Sequence, residues 1–195
     1  MPTLIIKDNI ATYDAADHHL TERGTFWNDN IDHTTTTANA QLITVSSLPR
    51  YFVMGQWGWD GEKLYPLPVF LPDILAQAKK DKLAEINAAC DDFLAVLTES
   101  YPAREVLTFD QQANEAAAVL ADPSAPAPMR TPLAAARGLG VTELALRVRV
   151  KTEAFTAISG HVVGQRQKYE DTLDAAETLE DVAAIVPEYT MPEGV

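Results

Sequence analysis

The sequence predicts an α+β chain: a small antiparallel β-rich N-terminal part over residues 1–66, followed by an α-helical hairpin or bundle over residues 73–187. Three observations predict it. All three Trp, and a high density of β-branched residues, fall in roughly the first 65 positions. Asp60-Gly61 lies between two potential strands, and both residues accept the positive φ of a tight hairpin. From Asp73 onward, apolar residues recur at three- and four-residue steps, the period of a helix face.

In the first part, Thr3 to Ile6 reads as a strand and Lys7-Asp8-Asn9 as a turn. Ile10 to Tyr13 then returns as the partner strand. His18 to Asp32 is polar and reads as irregular, anchored by Phe26 and Trp27. Thr34 to Thr37 favours an extended, half-exposed segment. Gln41 to Val45 and Tyr51 to Met54 read as further strands, and Gln56 to Leu64 as a hairpin. Trp57 and Trp59 share one strand face by period-two spacing. They either pack the small sheet or form an exposed aromatic platform for a partner or a sugar ring. Residues 67–72 hold Pro68 and Pro72 beside Pro66, which predicts a stiff, extended linker.

In the second part, Ile74, Leu75, Ala78, Leu83, Ile86, Cys90, Phe93 and Leu97 form one stripe of a first helix that Pro102 ends. Thr108 to Gln111 is a capping-box pattern opening a second helix that runs to Leu120. Asp122 to Pro128 is a loop. Thr131-Pro132 supplies an N-cap and a first-turn proline for a short helix stopped at Gly138 and Gly140. Thr142-Glu143 opens the longest helix, reaching about Ala175, and Thr178 to Asp181 opens another that ends before Pro187. Residues 188–195 read as a frayed, flexible tail. The two long helices are expected to pair as an antiparallel hairpin.

Composition narrows the function. A chain of 195 residues that is 47% hydrophobic can bury the core of one domain or two small ones. With 28 Asp+Glu against 15 Lys+Arg, the net charge of −13 repels phosphate backbones and anionic lipid, so neither nucleic acid nor membrane is an expected partner. No apolar run approaches the about 20 residues of a membrane span. The N-terminal stretch lacks a basic region followed by a long apolar one, so a reducing cytoplasm is expected. A single cysteine, Cys90, excludes an intramolecular disulfide and a Cys-based zinc cage. It lies in an apolar helical pattern, where a small core residue is the reading and a nucleophile the alternative.

Chemistry-bearing clusters are few. His18, His19, Asp29, Asp32 and His33 crowd one stretch and could hold a divalent ion, or form a solvated polar loop; no known ligand spacing is matched. Ser159 and His161 face different ways on a helix. Asp91-Asp92, Glu170-Asp171 and Glu180-Asp181 are adjacent pairs, which do not face each other on a helix. No catalytic residue, cofactor or metal site is assigned. Gly160 and Gly164 share one helical face, at a cost of about 1 kcal/mol each against Ala. Close approach of another backbone, within the chain or across subunits, would justify them, and a kink is the alternative.

Several stretches carry a resemblance: Ala84-Glu85-Ile86-Asn87-Ala88-Ala89-Cys90-Asp91; Tyr101-Pro102 with Glu105; Thr108-Phe109-Asp110-Gln111-Gln112 with Glu115-Ala116; Thr131-Pro132-Leu133; and Val163-Gly164-Gln165-Arg166-Gln167. In them the C-terminal part resembles a helical domain of bacteriophage and prophage tail proteins, the tail-fibre assembly proteins. Trp57-Gly58-Trp59-Asp60-Gly61 is similar to the β-hairpins that precede helices there. The resemblance implies a non-enzymatic accessory of a trimeric tail fibre. Such a protein acts as an assembly chaperone in the bacterial host cytoplasm, or stays bound as a virion component of the tail. Tyr51, Phe52, Trp57 and Trp59 are the expected partner-binding residues, and self-association through the helices is open. The alternative is a glycan- or host-surface-binding module of a phage tail.

Overall fold

The computed structural model describes residues 1–193 and divides into two compact units, Met1–Lys80 and a second beginning at Asp81. The fold class is α+β, with antiparallel sheets first and helices after.

The first unit holds eight strands: β1 (Thr3–Lys7), β2 (Ile10–Asp14), β3 (His19–Thr21), β4 (Gly24–Trp27), β5 (Asn30–Asp32), β6 (Ala40–Thr44), β7 (Trp57–Trp59) and β8 (Leu64–Pro66). They make a five-stranded antiparallel sheet, ordered β6-β1-β2-β7-β8, and a three-stranded one, ordered β3-β4-β5. Asp8 and Asn9 both take positive φ, 51° and 62°, and close the β1–β2 hairpin in two residues. β1 is buried on both faces, with Leu4 and Ile5 at 0% and Ile6 at 2% exposure. Leu4, Ile6 and Ala11 form the core on one face, with Phe52, Met54, Trp59 and Leu64 packed on them. On the other face Tyr13, opposite Ile5 in the ladder, stacks on Trp27 of β4 at 5.7 Å and donates to Asp32 at 3.1 Å. Those contacts join the small sheet to the large one.

Four local expectations are corrected in this unit. His18 to Asp32 is not irregular but carries β3 to β5, linked by the two-residue turns Glu22-Arg23 and Asn28-Asp29. Thr34 and Thr37 lie in turns, with Thr35 and Thr36 between them in no strand, and Tyr51 to Met54 is no strand. Phe52 N–H turns back to Pro49 and Gln56 N–H to Val53, so the segment is a string of bends between Pro49 and Gly55. The β7–β8 loop spans four residues, Asp60 to Lys63. The Asp60 carboxylate accepts from the Glu62 and Lys63 N–H groups at 2.9 and 2.8 Å. Gly58 allows a close approach: the Tyr65 ring lies where a Cβ would stand.

Residues 67–72 are no extended linker. Phe70 and Leu71 N–H both return to the Leu67 carbonyl, and helix α1 (Leu71–Ala95) already contains Leu71 and Pro72. Proline in a first helical turn has no donor to lose. The boundary between the units falls inside α1, after Lys80. The expected stripe holds, since Ile74, Ala78, Ile86 and Cys90 are all buried.

The second unit continues with α2 (Ala103–Val106), α3 (Phe109–Ala121), α4 (Arg130–Ala136), α5 (Val141–Ala175) and α6 (Leu179–Ala184). α3 is the most extensive partner of α5, rather than α1 as the hairpin expectation had it. Ala116, Val119, Ala127 and Ala145 form their shared core with Leu120, Val141 and Val148. The length expected for the first helix was excessive, because it gives way to turns after Ala95.

Two expected caps fail and two hold. Thr108 has helical backbone angles, and its hydroxyl donates to the Glu105 carbonyl of α2 at 2.6 Å, so no capping box forms. Thr131 is not an N-cap, because α4 already starts at Arg130. Gly138, at φ 64°, stops α4: its own N–H bonds Ala135 and that of Leu139 bonds Ala134, a Schellman closure. Thr178 and Asp181 form the full capping box of α6. The tail is not frayed over 188–190. Glu188 exchanges hydrogen bonds with the Tyr169 hydroxyl, Thr190 with the Gln165 amide, and the Tyr189 hydroxyl donates to the Ile86 carbonyl at 2.9 Å. Residues 194–195 of that expected tail lie outside the described residues.

Candidate interaction surface

The aromatic cluster expected to face a partner is largely internal. Trp57 is 3% exposed, its ring is 6.1 Å from that of Phe52, and its indole N–H donates to the Tyr51 carbonyl at 3.1 Å. No ring face of Trp57 is open to a sugar. Tyr51, Phe52 and Trp59 are half-buried, and Phe52 and Trp59 pack on the core of the large sheet. Large rings are what a small sheet uses to make a core.

Of the five residues weighed as metal ligands, His18, Asp32 and His33 are engaged with other groups. His18 stacks on Tyr13 at 4.8 Å and its Nδ1 meets the Asp14 carbonyl. His33 Nδ1 meets the Arg23 carbonyl instead. Asp32 accepts from Thr35, Thr34 and Tyr13; the hydroxyl of Thr35, then the hydroxyl and N–H of Thr34, hold its carboxyl far below the usual carboxylate range. Among the described residues, no three His, Cys, Asp or Glu side chains gather as a metal site. Burial first, then the charge of Asp91, raises the Cys90 thiol, against a smaller opposite pull from Arg166. A buried thiol raised this way stays protonated at neutral pH and is a poor nucleophile. His161 is exposed on Gln165, while the buried Ser159 hydroxyl finds no partner among the described residues.

Two features of α5 were not foreseen. Its outer face carries Leu146, Val150, Ala157, Gly160 and Gly164, at steps of four, seven, three and four residues that keep them in one row, interrupted by Glu153. All five are exposed, Leu146 by 43% and Val150 by 63%. The i, i+4 spacing was visible in the sequence; the lack of a covering element was not. At the far end of α5, a cleft of about 750 Å³ opens against α6 and the tail. Its floor includes Ala176 and Ile185, and its rim Lys168, Tyr169, Asp181 and Glu188.

Gly160 and Gly164 do not serve tight packing within the chain, because a Cβ added at either meets nothing within 4 Å. Gly160→Ala and Gly164→Ala are therefore each expected to stabilise the protein by about 1 kcal/mol, through helix propensity and a less flexible unfolded chain. Urea denaturation checks this. A fall in stability would mean that another backbone does lie against this face.

The family model of the HI1402 helical domain matches residues 150–187. The stretch it is similar to runs from Val150 through the rest of α5 and α6, so it takes in most of the outer row and much of the cleft. No curated protein and no solved structure matches the chain. Among the described residues, no helix is long and apolar enough to cross a membrane.

Proposed function

We propose that this chain acts by protein–protein contact and not by catalysis, as an assembly chaperone of a phage tail fibre or a component that stays on it. The observation that carries the interaction reading is the uncovered row Leu146, Val150, Ala157, Gly160 and Gly164 on α5. Apolar surface aligned on one helix face gains free energy only when a partner removes it from water. Most of the row falls within the segment similar to the HI1402 helical domain. The fibre as partner rests on the sequence resemblance to tail-fibre assembly proteins. In this role the row covers apolar or sheet-edge surface on fibre chains before they trimerise.

The test is co-expression with a candidate tail-fibre protein, followed by size-exclusion chromatography with light scattering. A co-eluting complex is expected, with fibre insoluble when this chain is omitted. Val150→Asp should weaken the complex about tenfold or more, because the contact would bury an unpaired charge, and leave circular dichroism unchanged. Separate elution, with fibre that folds unaided, defeats the proposal.

A further inference from the structure

We infer that the outer edge of β6 is a self-pairing surface, through which two copies of this chain join their large sheets antiparallel. The inference stands on the first unit alone and is independent of the fibre reading.

The register fixes which backbone groups point outward. Val45 N–H donates to the Pro2 carbonyl and Ala15 N–H to the Thr3 carbonyl. Hydrogen bonding alternates along an antiparallel pair. Leu4↔Ile43 and Ile6↔Gln41 are therefore the bonded pairs of β1 and β6. Leu42 and Thr44 consequently aim their N–H and C=O groups away from β1, at the edge of the sheet. Among the described residues, no hydrogen bond meets these N–H groups. Leu42 is the central residue of Ala40–Thr44 and its side chain is 57% exposed. A two-fold axis through Leu42 would make it a bonded pair with its own copy, with Gln41 opposite Ile43 and Ala40 opposite Thr44; in that last pair Thr44 N–H donates to the Ala40 carbonyl, the Ala40 N–H being held at 2.9 Å by the Thr36 carbonyl of its own chain.

Charge selects a second copy as the occupant. The chain carries −13, so two copies repel wherever acidic faces meet. Residues 34–49 contain no Asp, Glu, Lys or Arg at all, and β6 lies in the middle of this run. It is an edge on which a like-charged copy can approach at little electrostatic cost, whereas a basic partner would be drawn to the acidic faces instead. β6 also lacks the usual guards of an exposed edge: it has no charge, no proline and no bulge against β1. The opposite edge, β8, is three residues long and ends in Pro66.

Sedimentation velocity of the full chain over a range of concentrations tests the inference. A reversible monomer–dimer equilibrium is expected. Leu42→Lys sets two like charges face to face, and Leu42→Pro removes the central outward donor, a change an edge position tolerates. Each should weaken the dimer about tenfold or more, with thermal unfolding of the monomer unchanged. A monomer at every concentration overturns the inference. So does a dimer that resists both variants, including one that yields instead to Gly164→Leu on α5.

Discussion

Trp57→Ala is expected to destabilise the N-terminal unit by about 3–5 kcal/mol, the range for emptying the site of a buried large aromatic side chain. The indole is 3% exposed, fills the space beside Phe52 and ties β7 to the 49–55 bends through its bond to the Tyr51 carbonyl. Truncation leaves a cavity and removes the indole bond to that carbonyl. Its neighbour Gly58 adds no side chain that could move in, and the Tyr65 ring already occupies the ground above it. The same change at Trp59, which is only half-buried, should cost less. Because the chain has two units, unfolding has to be followed with a probe for each. Near-ultraviolet circular dichroism should lose the tryptophan signal while far-ultraviolet helicity persists. An unchanged midpoint with weakened partner binding would return Trp57 to the surface role.

The second large effect is expected at Glu115. Its carboxylate, on α3, sits over the start of α4 and accepts from Arg130 N–H at 2.8 Å, Met129 N–H at 3.2 Å and the Gln111 amide at 3.0 Å. It thus satisfies the open donors of a helix that has no side-chain cap of its own. It also lies close to Arg130, whose guanidinium is buried at 2% exposure and bonds the Gln112 carbonyl. Arg130 Nε and Nη1 find no partner among the described residues. Glu115→Ala should cost about 1–3 kcal/mol, because it leaves the two backbone donors at the start of α4 uncompensated and removes the negative charge nearest the buried Arg130. Glu115→Gln keeps an acceptor and should cost less. Arg130→Met removes the unpartnered donors along with the charge and should be the mildest of the three.

The pH dependence follows from the same contacts. Burial pushes the Glu115 carboxyl up, but the bonds from Gln111, Arg130 and Met129 and the Arg130 charge outweigh it, leaving it below its ordinary 4.5. Between the lowered folded value and the ordinary one, the unfolded chain binds a proton that the native protein does not. The stabilisation is therefore complete above about pH 4.5 and is lost as the pH falls through the folded value. The difference in unfolding free energy between wild type and Glu115→Gln should shrink on acidification across that window. A difference that stays flat, or grows, contradicts the assignment.

What the sequence made legible was whatever a short segment decides by itself. The Asp8-Asn9 turn, the Gly138 stop and the Thr178 box depend on residues within a few positions of one another. The misreadings arose where a distant group intervened. Thr108 had the right neighbours for a capping box, but its hydroxyl was claimed by α2, a four-residue helix too short to announce itself. β3 to β5 were hidden because strands of three and four residues, in polar sequence, show almost no alternation; the Asn28-Asp29 pair was the one clue, and Asn28 does take φ 49°. Trp57 and Trp59 are legible as residues of one strand, yet spacing does not say which side of a ring meets water. The candidate surface suffered the same limit: Leu146 and Val150 carry a helical spacing shared by buried stripes, and only the whole fold leaves them uncovered.

The fastening of the tail bears on how this protein comes apart. Burial, chiefly, pushes the Tyr189 hydroxyl up to about 12, and it reaches the Ile86 carbonyl across 103 residues of chain. Its ring lies 6.2 Å from that of Phe93 and 5.8 Å from that of Tyr169. A contact of that span closes a loop whose entropy grows only slowly with length, but which forms late because so much chain must first be in place. The far half of α1, the end of α5 and residues 188–190 are therefore expected to open as one block, with amides that exchange at a common rate in native-state hydrogen exchange. Exchange of these amides at unrelated rates would show that the Tyr189 contact does not couple them.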